Sequence, residues 1–258
     1  SQLEPRLARF ANRHPIGGDE IGGARIVTGT LYGVGVGPGD PELLTLKAVR
    51  VLRDAPVIAY PAPLEGQSLA RAIAAPHIPS GKTEIAMRLP FSPERGDTEE
   101  RYDRAAEVLI SHLEAGRDVA LLCLGDPLLY GSFVHVLPRI GNHFHISVVP
   151  GISSISAAAA AMRLPLAIQD ESLAIVPATL DAETLAARIA AADVTAVVKI
   201  GRHLKKLQGV IATLGLSAEA RYIEYAATGT ERVRPLADVT ESDSAYFALV
   251  LLRKRAWR

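Results

Sequence analysis

The stretch LYGVGVGPGDPELLTLKA, Leu31 to Ala48, decides the fold. Its first six residues, Leu31–Val36, read as a strand that ends in a glycine-rich turn. Asp40-Pro41-Glu42 then opens a helix predicted to run to about Arg53, with Asp as N-cap, Pro at the first helical position and an acid in the first turn. Strand, glycine turn and helix together make the opening unit of a parallel sheet with helices on its faces. The turn invites a dinucleotide reading, but its spacing fails. Counting from Gly33 puts Pro38 at the third glycine position, and counting from Gly35 puts Asp40 there.

The alternation continues outward from this unit. Val57–Tyr60 reads as a short buried strand. Thr98–Ala115 reads as a helix with Tyr102, Ala105, Ala106, Leu109 and Leu113 on one face, Asp97 and Glu100 as a capping box, and Gly116 as the stop. Val119–Leu124 is an apolar strand running into Gly125-Asp126-Pro127. Ile146–Val149 is another strand, ending at Pro150-Gly151, and Ser153–Met162 reads as a helix. Between Arg163 and Glu171 the pattern breaks at Pro165. Beyond it, strands are predicted at Leu173–Val176, Ala196–Ile200, Tyr222–Tyr225 and Tyr246–Leu251, and helices at Ala182–Ala192 and His203–Leu214. The expectation is an α/β protein of two α/β domains with mostly parallel or mixed sheets: an extension over 1–29, an N-terminal domain over 30–165 and a C-terminal domain over 166–258.

Composition narrows the function. The 258 residues balance 28 Lys and Arg against 28 Asp and Glu, so the formal charge is zero, which argues against a nucleic-acid binder. One cysteine, Cys123, rules out an intrachain disulfide and a four-cysteine zinc site. Cys123 reads as strand core. His143 and His145 alternate as strand-edge residues would, without ligand-spaced partners, so no metal is expected. No apolar run approaches the ~20 residues a bilayer span needs, and residues 1–29 lack the apolar core of a signal peptide, so the cytosol is the expected location.

Three glycine-bearing turns each follow an apolar strand, where ligands collect in open α/β sheets. They are Gly33–Asp40, Leu124–Ser132 and Val149–Ser154. Beside a glycine, Asp126 can accept bonds from an ammonium or a ribose hydroxyl, or it can simply hold a turn. Ser153 and Ser154 at a helix start favour an anion, or Ser153 is a cap. Asp40 is equally an ordinary N-cap.

Taken in order, GxGxGPGDPELLTLKA (Gly33–Ala48), GDPxxYGS (Gly125–Ser132), VPGISS (Val149–Ser154) and the pair Gly229-Thr230 resemble the tetrapyrrole (corrin and porphyrin) methyltransferase family, over nearly all of Gly29 to the C-terminus. The GGDPF and FGRG of uroporphyrinogen methyltransferases and the SDAGTP-like loop of ribosomal-RNA ribose methyltransferases are absent. YGSF at Tyr130–Phe133 and KIGRHLKK at Lys199–Lys206 look like the precorrin-2 C-20 methyltransferase group, its cobalt-factor-II counterparts included.

The resemblance implies a two-domain homodimer that holds S-adenosylmethionine in an inter-domain cleft, releases S-adenosylhomocysteine, and methylates C-20 of precorrin-2 on the route to cobalamin. Carried over motif by motif, the cofactor positions are Pro38, Leu124, Gly125, Asp126, Leu129, Ser153, Ser154, Ile200 and Gly229. The family often has Met where this chain has Ile200. Asp40 and Tyr130 are the candidate catalytic residues. The substrate would be a tetrapyrrole polycarboxylate, so Arg88, Arg95, Arg101, Lys199, Arg202, His203 and Lys206 are candidates for its carboxylates. The alternatives are another corrin-ring methyltransferase of the same family and, more distantly, a non-catalytic nucleotide-binding module.

Overall fold

A computed structural model describes residues 28–89 and 95–255, with the backbone alone at 95–97 and 243. The expected extension over 1–29 therefore lies outside the described residues except at its last two positions. Five strands, β1 (Thr30–Gly35), β2 (Val57–Ala62), β3 (Thr83–Arg88), β4 (Val119–Cys123) and β5 (His145–Val149), form one parallel sheet in the order β3-β2-β4-β1-β5. The unbroken apolar run of β4 follows from helices covering both faces. Apolar and polar residues do not alternate along it because both sides are core. Val119, Leu121 and Cys123 face α3 (Arg95–Glu114) and α4 (Phe133–Ile140), whereas Ala120 and Leu122 face α1 (Leu46–Asp54) and α2 (Leu69–Ala74).

The second sheet is mixed. β6 (Leu173–Pro177) pairs parallel to β7 (Val194–Val198), and β10 (Ala248–Arg253), β8 (Ala220–Glu224) and β9 (Arg232–Pro235) continue it antiparallel in the order β6-β7-β10-β8-β9. One face packs on α6 (Ala182–Ala191) and α7 (Leu204–Thr213) through Leu185, Ile189, Leu204 and Leu207. The other face carries Ala196, Ile223, Leu249 and Leu251, and these bury Ile155 and Ala158 of α5 (Ser154–Met162). Thus α5, counted with the first half in the sequence, packs on the second sheet. The change of core comes at Pro150-Gly151, some residues before the expected break at Pro165.

Local chemistry explains the other departures. The helix expected from Asp40 to Arg53 is two elements: a 3-10 turn at Pro41–Leu43 capped by Asp40, then α1, capped afresh by Thr45 Oγ1 on the N–H of Ala48. Helix α3 starts at Arg95, so Asp97 lies inside it rather than capping it. Helices α2 and α4 and strands β3 and β9 went unread; Pro138 inside α4 hides that helix from a propensity argument. Strand β7 ends at Val198, two residues early, which releases Lys199 and Ile200 into the turn. The connector after α5 is held by Arg253, which donates to Glu171 Oε1 (2.7 Å) and the Pro165 carbonyl (3.2 Å) with both charges buried. Among the described residues no helix is long and apolar enough to cross a membrane.

Candidate functional site

The loops after β1, β4 and β5 leave the same end of the parallel sheet and are knitted together. Gly37 and Gly125 exchange backbone hydrogen bonds (2.8 and 3.3 Å), and the N–H of Val36 donates to the Cys123 carbonyl (2.9 Å). Asp126 completes the knot. Its Oδ2 accepts from the N–H of Gly151 (3.0 Å) and its Oδ1 from that of Leu128 (2.9 Å). The backbones approach so closely that a Cβ on Gly151 would stand 2.0 Å from the Gly125 carbonyl oxygen, and one on Gly35 would stand 2.6 Å from Gly151. Only glycine fits at this junction.

Facing this knot across a cavity are the turns after β7 and β8 and the start of β10. The cavity encloses about 910 Å³ of empty space, its open mouth included. Its second wall has an unusual backbone. Lys199, Tyr225 and Ala227 have φ of 56°, 52° and 59°, and Tyr130 on the opposite side has 55°. Non-glycine residues in this left-handed region cost about 1 kcal/mol or more each and cluster at binding sites. Nearby bonds hold Tyr225 and Ala227 there. The N–H of Tyr225 donates to the Phe247 carbonyl (2.9 Å), Thr228 Oγ1 donates to the Tyr225 carbonyl (2.7 Å), and the N–H of Ala227 donates to Glu231 Oε2 (2.6 Å). The two walls touch at Gly39, where a Cβ would meet Thr228 Cγ2 at 2.5 Å.

The deep end is apolar and dry in character, with Ile155, Ile223, Leu249 and Ala226 all nearly inaccessible. At its side α5 begins: Ser153 caps it through the N–H of Ser156, and Ser153 and Ser154 both line the cavity. At the mouth Tyr130, half exposed, lies under the Lys199 ammonium, with Nζ 4.7 Å from the ring centroid.

Most of the residues singled out in the sequence come together here. Pro38, Leu124, Gly125, Asp126, Leu129, Ser153, Ser154 and Tyr130 line the cavity. Asp40 and Gly229 do not. They line an open groove next door, divided from the cavity by Leu69 and Thr228, and Asp40 Oδ1 accepts from the N–H of Glu42 (2.8 Å). Ile200 is also placed elsewhere, buried in the core beneath α7, because β7 ends early and turns it inward. Of the seven candidate cations Lys199 alone is placed in the cavity; the side chain of Arg95 lies outside the described residues. Cys123 is sealed in the sheet, and burial pushes its thiol up to about 12, so it stays protonated and unreactive at neutral pH. The wall formed by Tyr225, Ala226, Phe247 and Leu249 went unread. Its only sequence signal, an aromatic pair before a strand, is shared with ordinary core.

The family model for tetrapyrrole (corrin/porphyrin) methylases matches residues 30–240. The cobalamin biosynthesis protein CobIJ of Mycobacterium tuberculosis is 43% identical over 88% of this chain, which spans 47% of that relative, about half its length. The precorrin-2 C(20)-methyltransferase of a Sinorhizobium species is 35% identical, covering 87% of this chain and 95% of the relative. Among solved structures, uroporphyrin-III C-methyl transferase from Thermus thermophilus complexed with S-adenyl homocysteine superposes with a TM-score of 0.65 at 27% identity, covering 88% of this chain and 98% of the other.

Proposed function

Because the chain belongs to the tetrapyrrole (corrin/porphyrin) methylases, we propose that it transfers a methyl group from S-adenosylmethionine to C-20 of precorrin-2, or of its cobalt-bearing counterpart, on the route to cobalamin. The observation that carries this reading is the cavity between the two walls, with one apolar end, one helix start and one cationic mouth. Such a donor fits the residues present. Ile155, Ile223 and Leu249 offer an apolar contact to an adenine. Ser153 Oγ is taken by the N–H of Ser156, which leaves the N–H groups of Ser154 and Ile155 free of acceptors among the described residues, suited to a carboxylate.

When bound, S-adenosylmethionine supplies a methyl on a sulfonium, and in-line transfer leaves S-adenosylhomocysteine. In that transfer the enamine-like π pair at C-20 would form the new carbon–carbon bond, the sulfur–methyl pair would return to sulfur, and the C-20 proton would leave through the open mouth to solvent. The protein's task is alignment, with reacting atoms held about 3–3.5 Å apart and water excluded. The knotted glycine loops provide a floor that does not move, and the apolar end keeps water out. Of the two candidate catalytic residues, Tyr130 stands in the cavity and Asp40 caps a turn outside it. Asp126 holds the loops together, its two oxygens accepting from the N–H groups of Leu128 and Gly151.

The same reading carries a cytoplasmic homodimer. Leu128 and Ile152, exposed on loops that Asp126 joins, support an apolar self-association surface. Light scattering after gel filtration tests the dimer. For the reaction, the protein is incubated with precorrin-2 and S-adenosylmethionine carrying a carbon-13 methyl, and the product's carbon-13 spectrum is taken. One new methyl at C-20 is expected. Binding of S-adenosylhomocysteine without transfer to either precorrin-2 or cobalt-precorrin-2 would remove the assignment.

A further inference from the structure

One cation among the described residues lines the cavity, Lys199. Among the described residues Lys199 makes neither a hydrogen bond nor an ion pair, and its ammonium rests over the Tyr130 ring. The one carboxylate that shares the cavity, Asp126, is committed to the N–H groups of Leu128 and Gly151. Of the other candidate cations, Arg202 and His203 lie outside the cavity lining, and three more are employed in holding backbone. Arg88 donates to the carbonyls of Pro63 (2.9 Å) and Gly66 (2.8 Å), Arg101 to that of Arg88 (3.4 Å), and Lys206 to that of Leu180.

We propose that Lys199 is an acceptor-binding residue: its ammonium leaves the Tyr130 ring and pairs with a peripheral carboxylate of the tetrapyrrole at the cavity mouth. This rests on the methyltransferase reading. A cation over a ring in an open site is held more weakly than the same cation in a charge-assisted bond to a carboxylate, so the exchange runs toward the acidic ligand. Position favours it as well. Lys199 and Tyr130, both left-handed (φ 56° and 55°) and exposed, meet from opposite walls, whereas Ile155, Ile223 and Leu249 of the apolar end are buried. Among the described residues Asp126 is the one acidic residue lining the cavity, and it is bonded to the N–H groups of Leu128 and Gly151 rather than to Lys199.

The test uses two stable probes, uroporphyrin and its fully methyl-esterified form, with S-adenosylhomocysteine as a control for the cofactor site. Lys199→Met keeps the stem and removes the charge. It is expected to weaken uroporphyrin binding about tenfold, one charge-assisted contact. Binding of the ester and of S-adenosylhomocysteine stays as in the wild type, and Lys199→Arg recovers most of the loss. The uroporphyrin affinity of the wild type should also fall more steeply with added salt than that of Lys199→Met. Unchanged uroporphyrin binding in Lys199→Met overturns the proposal, as does an equal loss for the ester, which would mean packing. Loss of S-adenosylhomocysteine alongside would give Lys199 to the cofactor instead. A wild type that binds S-adenosylhomocysteine but no porphyrin overturns the proposal alone; one that binds neither takes the methyltransferase reading with it.

Discussion

The two walls of the cavity are built by opposite backbone strategies. On the wall from the parallel sheet, the loops after β1, β4 and β5 meet backbone to backbone; Gly35 and Gly151 leave no room for a Cβ, and Gly37 and Gly125 turn with φ of 78° and 67°. On the wall from the mixed sheet, room is not the constraint. Lys199, Tyr225 and Ala227 adopt the conformation glycine prefers yet keep their side chains, and those of Lys199 and Tyr225 form the cavity surface. The first wall is therefore held by close backbone approach at Gly35 and Gly151, with Tyr130 its left-handed side chain at the mouth. The second spends conformational energy to present side chains, so their identity matters to what binds. Chemistry common to any occupant belongs on the first, and discrimination between occupants on the second.

The sharpest way to break this comparison is to add a single methyl to the first wall. Gly151→Ala would put a Cβ 2.0 Å from the Gly125 carbonyl oxygen, against backbone that is itself bonded to Gly37. No flexible side chain can yield there. A loss of about 3 kcal/mol or more is expected by urea denaturation, at or beyond the upper end for overpacking, together with loss of S-adenosylhomocysteine binding by calorimetry. A cost under about 1 kcal/mol would mean that the loops part easily and that the floor is not rigid.

A smaller effect is expected from the bond that ties the floor together. Asp126→Ala leaves the N–H groups of Gly151 and Leu128 without their acceptor, at a cost of about 1–3 kcal/mol. Asp126→Asn keeps one acceptor oxygen and should lie between the wild type and the alanine variant. If asparagine matches the wild type in both stability and S-adenosylhomocysteine affinity, a single acceptor is enough and the double bond is not what fixes the loops.

The two walls also differed in how far the sequence disclosed them. Close approach at Gly35 and Gly151 and a positive φ at Gly125 are demands that glycine answers, so these three stood out, each at the end of an apolar run. Left-handed Lys199, Tyr225 and Ala227 leave no such mark, because no residue type is required there. Bonds to Phe247 and Glu231 hold Tyr225 and Ala227 in that conformation. Distance along the chain hid more. Phe247 and Leu249 reach the cavity because β10 inserts between β7 and β8, a pairing no local pattern encodes. Ile200 shows the same limit. A strand ending two residues early put its side chain into the core and gave the cavity Lys199 instead. The helix Ser154–Met162 was legible as a helix, but which sheet it covers was decided by Ile155 and Ala158 meeting Ile223 and Leu251, a tertiary choice.

The smallest effect is the most telling, because its sign is the opposite of the first. Ala227→Gly removes a methyl from a left-handed residue on the second wall (φ 59°) and leaves intact the bond from its N–H to Glu231 Oε2. Glycine relieves the strain of that conformation but gains freedom in the unfolded chain, and a little packing is lost with the methyl. The relief outweighs both, so the variant should be more stable by about 0.5–1 kcal/mol in urea denaturation. A methyl added to one wall then destabilises, and a methyl removed from the other stabilises. Should Ala227→Gly instead lower stability, the turn is not strained, and the walls differ in packing alone rather than in how their backbones are held.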